Sequence, residues 1–191
     1  MYELTGGGYV TNWSFVPAYQ DGAAPFGEWP AKRLGTPMGY QTAEDLHVDL
    51  GAAVVARNAA GARLQGAVGA RGIAFDQPRD QSYDIYGYPA DGVIFSGERE
   101  YHCGSDVGGT DQFAGEGPPT MWINCNMTEG SSGGGWIANG TLLSVTSYGY
   151  PDKPLRLYGP YMSSAAKKLY RSASGRKKKR GHHHHGGGRS R

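Results

Sequence analysis

The sequence predicts an all-β domain, and three observations support that prediction. Glycine (32 residues) and tyrosine (13) are abundant among the 191 residues, whereas the leucine and Lys/Glu runs that build long helices are scarce. Short apolar or alternating segments recur roughly every ten residues with glycine-rich turns between them. Asn139-Gly140 lies between two such segments and is a strong hairpin signal. A chain of this length forms one ordinary domain or two small ones, here as a β-barrel or sandwich.

The elements can be predicted in chain order from their hydrophobic patterns. Residues 104–119 combine glycine, serine, aspartate and a proline pair, which is typical of a long loop. Only 163–173 has a helical pattern, and Ser163 stands where a serine would cap that helix. The predicted strands are 9–19, 28–37, 47–55, 82–89, 121–126, 135–138, 141–148 and 155–159.

Charge is distributed unevenly along the chain. Eight of the 19 basic residues lie at 171–191, where there is no acid, so the first 170 residues carry 11 basic and 17 acidic residues. The tail from Ser174 onward has low complexity, and we expect it to be disordered. Its basic run could bind nucleic acid electrostatically and its four histidines could chelate a metal, but no function is assigned to it on this basis.

Neither a membrane span nor a signal peptide is predicted. No apolar stretch approaches the ~20 residues that cross a bilayer. Met1 is followed by Tyr-Glu-Leu-Thr-Gly-Gly-Gly rather than by the basic and then apolar segments of a signal peptide. The two cysteines, Cys103 and Cys125, are compatible with two buried thiols or with one bridge, and a bridge would indicate an exported protein.

The most informative segment is Asn126–Trp136, which reads N-M-T-E-G-S-S-G-G-G-W. One interpretation is a flexible loop or linker. Read as G-x-S-x-G, the segment could be the nucleophile elbow of an α/β-hydrolase. Such an elbow leads from a strand into a helix, and an acid and a histidine follow later in the chain. That interpretation is excluded because Gly-Gly-Gly-Trp-Ile-Ala-Asn-Gly cannot begin a stable helix and the later histidines lie in the tail. As G-x-S-G-G before a strand, the segment matches the nucleophile loop of chymotrypsin-like serine proteases.

The resemblance to that family extends beyond the loop. The chain resembles the glutamyl-endopeptidase-like and actinobacterial trypsin-like branch, whose Cys-x-Met-Thr-Gly-Gly-Ser-Ser-Gly-Gly-Pro-Trp segment corresponds to residues 125–136. Glu129 replaces a glycine of that pattern and Gly135 replaces its proline. Three further family signals occur in the right order, in the segments Asp49-Leu-Gly-Ala-Ala-Val, Gly87-Tyr-Pro and Ser147-Tyr-Gly.

The resemblance implies roles for individual residues. Ser132 would be the nucleophile, and the N–H groups of Gly130 and Ser132 would form the oxyanion hole. Asp49, an acid in an otherwise apolar segment, would be the triad acid. The alternative interpretation of Asp49 is a structural role, in which it caps a turn at a strand edge. Cys103 and Cys125 would form the disulfide of the second barrel.

The resemblance also implies a specificity pocket. Ser147 would help to hold the carboxylate of Asp49, and Tyr148 and Gly149 would form one wall, with Gly149 pairing to substrate main chain. Thr146 is not the histidine associated with glutamate-specific members, so glutamate specificity is not supported.

The family base is not evident in the sequence. It comes from a Gly-His-Cys turn before the triad acid, whereas the only histidine before Asp49 is His47, which we interpret as a partly exposed strand residue. His102 follows the acid and matches no family base. We therefore expect a chain that begins just after the His-Cys turn and that is, as given, a poor or inactive protease.

The sequence thus predicts a chymotrypsin-like double β-barrel with an incomplete first barrel. The resemblance implies a secreted serine endopeptidase acting through an acyl-enzyme, and we expect its catalytic histidine to be missing from this chain. The alternative is a non-catalytic, protease-derived domain that binds peptides. We expect a monomer with a polypeptide substrate, no membrane association, no cofactor and no metal. The predicted units are a partial first barrel at 1–75, the second barrel at 76–162, a helix at 163–173 and a disordered tail at 174–191.

Overall fold

The computed structural model describes residues 1–112 and 117–175, and the first half of the chain forms two small antiparallel sheets. One pairs β1 with β2, and the other has the order β3-β4-β5. These strands are β1 (Tyr2–Glu3), β2 (Gly8–Tyr9), β3 (Ser14–Phe15), β4 (Trp29–Gly35) and β5 (Ala52–Val55). Helix α1 (Met38–Ala43) and a 3-10 helix (Leu46–Val48) connect β4 to β5, and α2 (Leu64–Val68) follows β5.

The second half forms one sheet of seven strands. They are β6 (Gly72–Ile73), β7 (Ser82–Gly87), β8 (Tyr101–Asp111), β9 (Thr120–Asn124), β10 (Gly135–Ala138), β11 (Thr141–Val145) and β12 (Arg156–Gly159). Their order is β12-β9-β8-β7-β10-β11-β6, and every neighbouring pair is antiparallel except β6 with β11. Asn139-Gly140 joins β10 to β11, and both residues have the positive φ that a tight hairpin turn requires.

Six of these strands close into a barrel. The chain leaving β11 pairs with β12, because the Ser147 N–H donates to the Tyr158 carbonyl (2.8 Å) and the Tyr158 N–H donates to the Tyr148 carbonyl (2.9 Å). Closure pairs the edges that an open sheet would leave exposed. It also places the residues after β11 beside the loop that precedes β10.

The barrel core follows from the alternation of side chains along its strands. In β7 the side chains of Tyr83 and Ile85 are buried while Ser82 and Asp84 are exposed. Trp136 is fully buried at the centre, where its ring meets the edge of Tyr83. Each large apolar side chain buried in this way contributes about 1.5–3 kcal/mol relative to exposure.

A disulfide and a helix complete the packing. Cys103 on β8 is bonded to Cys125, which follows β9, as predicted. Helix α3 (Ser164–Ala173) packs on β4 and β5, so the C-terminal segment returns to the first half. Arg33 fixes the end of this helix by donating to the carbonyls of Ser172 and Ala173 (2.8 and 2.9 Å). Ser163 occupies the N-cap position, but its side chain makes no capping bond.

These elements confirm the predicted fold class and correct several local predictions. Helices α1 and α2 were not predicted, because only 163–173 had a helical pattern. Residues 104–111 belong to strand β8 rather than to a loop. The 9–19 segment holds only two-residue strands, and His47 lies in a 3-10 helix rather than a strand. No helix among the described residues is long and apolar enough to cross a membrane. The division at residue 75 stays a prediction, and the predicted disordered tail falls outside the described residues from 176 onward.

Candidate active site

The segment between β9 and β10 forms a tight loop that exposes one serine and buries its neighbour. Ser132 is exposed, whereas Ser131 is buried and its hydroxyl donates to the Thr128 carbonyl (2.7 Å). Gly130 (φ +88°) and Gly133 (φ +84°) flank the two serines in a conformation that side chains with a Cβ rarely adopt. Glycine is therefore required on both sides for Ser132 to project outward.

Two backbone N–H groups of this loop are available to a ligand. The Ala90 N–H donates to the Glu129 carbonyl (2.6 Å), and in a trans peptide the following N–H points the opposite way. The Gly130 N–H is therefore directed away from Ala90. Within the part of the chain that the structure describes, neither it nor the Ser132 N–H donates to a protein group. Two N–H donors directed at one position can stabilise negative charge on an attacked carbonyl.

The loop is fixed between two neighbouring strands. On one flank a Cβ at Gly134 would lie 2.0 Å from the Tyr86 carbonyl oxygen, so β7 passes against its backbone. On the other flank the Gly133 N–H donates to the Thr146 carbonyl (2.8 Å), and the Thr146 N–H donates to the Gly134 carbonyl (2.9 Å). These contacts set the position of Ser132 relative to the chain after β11.

A cleft of about 480 Å³ opens beside Ser132. The predicted wall residues Ser147, Tyr148 and Gly149 all line it, together with the serine loop. The remaining lining residues are mostly apolar or aromatic, including Met127, Tyr150, Pro151, Pro154 and Leu157. The arrangement gives a largely apolar pocket that also contains the cations Lys153 and Arg156, with the Ser132 hydroxyl at its margin.

The aromatic wall is fixed by a carboxylate that the sequence did not reveal. Asp111, at the end of β8, accepts hydrogen bonds from the hydroxyls of Tyr148 (3.2 Å) and Tyr150 (2.8 Å). The Tyr148 ring stacks on Tyr158 with 4.8 Å between centroids. Burial and the Asp111 carboxylate raise the pKa of Tyr150 to about 12, so its hydroxyl stays protonated and donates. No sequence pattern indicated this contact, because Asp111 lies in the segment predicted as a loop.

Asp49, from the first half of the chain, contacts one residue of the cleft wall. The Ser147 hydroxyl donates to Asp49 Oδ2 (2.6 Å), a contact across 98 residues. Burial raises the pKa of Asp49, although the Ser147 hydrogen bond and the α-amino group of Met1 act in the opposite direction. Because Ser147 lines the same cleft as Ser132, this contact anchors the predicted acid to the wall of the serine cleft.

Solved structures share this architecture. The protease Anisep from Arthrobacter nicotinovorans is 38% identical and superposes with a TM-score of 0.80, over 87% of this chain and 76% of that one. The thermostable serine protease AL20 from an extremophilic microorganism is also 38% identical, with a TM-score of 0.78 over 90% of this chain and 79% of that one. This chain belongs to the chymotrypsin-like serine protease family. A Glu endopeptidase solved in complex with MPD shares the fold at 20% identity, with a TM-score of 0.75 over 91% of this chain and 77% of that one. No family model and no curated protein matches the chain.

The two histidines in the described residues, His47 and His102, both contact carboxylates other than Asp49. His47 is buried, not partly exposed, and its Nδ1 lies 2.6 Å from Oδ1 of Asp45 rather than beside Asp49. His102 is exposed on β8, and its Nε2 lies 2.9 Å from Asp84. In residues 1–112 and 117–175, no cluster of three or more His, Cys, Asp or Glu side chains could hold a metal ion.

Proposed function

We propose that the cleft beside Ser132 binds polypeptide chains and carries out acyl transfer, as in a serine endopeptidase. The observation that carries the proposal is the serine loop, whose exposed hydroxyl adjoins two N–H groups free of protein partners in the described chain. The family supports a peptide-hydrolase chemistry, and the Cys103–Cys125 disulfide supports an oxidising compartment such as the cell exterior.

In this mechanism Ser132 Oγ attacks the carbonyl carbon of the scissile peptide bond. The N–H groups of Gly130 and Ser132 donate to the oxygen as it becomes negative, which is the step where such donors contribute most. Asp49, held by Ser147, would orient an imidazole that takes the serine proton and returns it to the leaving amine. The peptide chain before the scissile bond would pair with the backbone at Gly149 as an added strand.

The imidazole is the component that His47 and His102 do not supply, since other carboxylates hold both rings. An ordinary serine hydroxyl is a weak nucleophile near neutral pH without such a base. We therefore propose that acylation of Ser132 is slow in this chain and depends on an added imidazole. The same observation favours the second candidate, a domain that binds peptides without cleaving them.

A fluorophosphonate probe, which labels activated serines, tests the proposal. The chain is incubated with the probe in buffers with and without free imidazole, and mass spectrometry locates the label. We expect imidazole to accelerate labelling of Ser132 by about tenfold or more, below the ~10²–10⁴ that a positioned general base contributes. Ser132→Ala should abolish labelling, whereas the matched control Ser131→Ala should retain it.

Two outcomes would change the assignment. Rapid labelling without imidazole that disappears in His47→Gln would make His47 the base and contradict our account of the site. No labelling under either condition, together with retained binding of unfolded casein to the same cleft, would favour the peptide-binding domain over the enzyme.

A further inference from the structure

A second cavity lies between helix α3 and strands β5, β6 and β11, and it shares no lining residue with the serine cleft. Its volume is about 380 Å³, which is within the range of small-molecule sites. An apolar cavity of this kind offers water too few hydrogen-bond partners and favours an apolar occupant. Its apolar lining includes Leu50, Ile73, Leu142, Val145, Met162 and Leu169.

The cavity exists because small side chains face each other across it. Strand β5 contributes Ala52 and Ala53, and helix α3 contributes Ala166 and Ala173. The two helix alanines are seven positions apart and therefore lie on one face of α3, which packs on β4 and β5. Leu169, a larger residue of the same helix, stays only partly buried. The packing of the helix on the strands therefore leaves a space that an apolar molecule can fill.

Positive charge lies at one end of this cavity. Ala173 and Ser174, at the C-terminal end of α3, line that end. The Arg33 guanidinium donates to the Ala173 carbonyl (2.9 Å), and Arg171 lies in the last turn of the same helix. Both arginines are exposed, and neither forms an ion pair within residues 1–112 and 117–175. Guanidinium groups beside an apolar cavity complement a molecule with an apolar chain and a carboxylate head.

The volume sets the length of that chain. A water molecule takes about 30 Å³ in the liquid and a methylene group is of similar size, so the cavity holds a single alkyl chain of about ten carbons. A bilayer phospholipid carries two longer acyl chains and exceeds this space. The matching ligand is therefore a free, single-chain carboxylate.

We propose that this cavity binds a free fatty acid of medium chain length, with its alkyl chain between α3 and β5 and its carboxylate at Arg33 and Arg171. The inference does not depend on the proposed function, because the cavity and the serine cleft have no residue in common. It gives the chain a second ligand class besides polypeptides.

The first test measures binding of sodium decanoate and sodium octanoate to the intact chain by isothermal titration calorimetry. We expect one decanoate per chain. Each methylene group that leaves water strengthens binding roughly fourfold, so octanoate should bind about 10–20-fold more weakly. Ala53→Leu places a larger side chain in the cavity and should weaken decanoate binding at least tenfold. Ala67→Leu, the same substitution at an exposed position of α2 outside the cavity, should bind decanoate like the unchanged protein.

The second test changes the head group and leaves the cavity lining intact, so it remains decisive if Ala53→Leu fails to fold. Decan-1-ol has the same chain as decanoate but no charge. The double variant Arg33→Gln/Arg171→Gln should bind decanoate about tenfold more weakly, because charge-assisted hydrogen bonds are lost, and should bind decan-1-ol unchanged. An equal loss for both ligands would show that the arginines do not contact the carboxylate and would overturn the proposal.

Three other results would also overturn it. One is the absence of decanoate binding, and another is binding of several molecules per chain with no effect of Ala53→Leu. The third is a dimer in size-exclusion chromatography that Ala53→Leu dissociates, since a second copy of the chain would then be the occupant of the cavity.

Discussion

The substitution Gly130→Ala tests the construction of the candidate oxyanion hole. A Cβ at this position would lie 2.6 Å from the Tyr88 carbonyl oxygen, 2.8 Å from the Ala90 Cβ and 2.9 Å from the Ala90 nitrogen. Two of these three atoms are backbone, so the overlap cannot be relieved by turning a flexible side chain. The residue also has φ +88°, which is unfavourable for alanine.

The expected destabilisation combines two contributions. The positive φ costs an alanine roughly 1–2 kcal/mol. The overlap with the Gly87–Ala90 segment adds about 1–3 kcal/mol, as overpacking typically does. Gly140→Ala is the matched control, because Gly140 also has a positive φ (+74°) but no atom lies within 4 Å of its Cβ position. The difference between the two variants isolates the overlap.

Urea unfolding measures that difference. For an unfolding dependence of ~2 kcal/mol per molar urea, the midpoint of Gly130→Ala should lie about 0.5–1.5 M below that of Gly140→Ala. Relief of the overlap would also rotate the Glu129–Gly130 peptide and remove one donor from the cleft. Imidazole-dependent labelling of Ser132 should then slow by ~10²–10³, the usual effect of losing one such donor. Equal midpoints and equal labelling rates would refute the described position of this peptide.

Two further predictions concern stability. Reduction of the Cys103–Cys125 disulfide, whose cysteines are 22 positions apart, should lower the free energy of unfolding by about 3 kcal/mol, and identical urea midpoints for reduced and oxidised protein would contradict this. Asp49→Asn should stabilise the fold more at pH 7 than at pH 3.5, because the pKa of Asp49 is raised and the cost of its carboxylate grows as pH rises through that pKa. A stabilisation that is the same at both pH values, measured by urea unfolding, would count against a buried carboxylate.

The serine loop and the disulfide could be predicted because their signals are local or leave few alternatives. The order Gly130-Ser131-Ser132-Gly133 dictates a turn whose shape depends on its own glycines. Two cysteines alone left two buried thiols or one bridge open, and the family resemblance indicated the bridge that the structure contains. The contact between Ser147 and Asp49 was predicted only through the family resemblance, since no local pattern joins residues 98 positions apart.

Strand β8 was missed because its glycines serve packing rather than a turn. A Cβ at Gly108 would lie 2.0 Å from the Trp122 ring, and one at Gly109 would lie 2.9 Å from its Nε1. Glycine there allows the indole of β9 to lie flat against the β8 backbone, next to a shift in strand register. In sequence, the same residues are indistinguishable from a glycine-rich loop. For this reason Asp111, in the same segment, was not predicted as a residue of the candidate site.

The wrong prediction for His47 reflects the different partners of two aspartates in the first half of the chain, Asp45 and Asp49. The Asp45 carboxylate accepts from both the backbone N–H (3.0 Å) and Nδ1 (2.6 Å) of His47, which fixes the ring in the interior. Asp49, at the end of the same 3-10 helix, faces the opposite half of the molecule and finds its donor in Ser147. One acid therefore stabilises the local turn, and the other depends on the packing of the two halves. Burial at this position destabilises the charged carboxylate of Asp49 and raises its pKa. A positively charged imidazolium beside the carboxylate would stabilise its charged form. In the proposed mechanism an added imidazole is therefore expected to bind beside Asp49 and not beside Asp45, whose carboxylate already contacts His47.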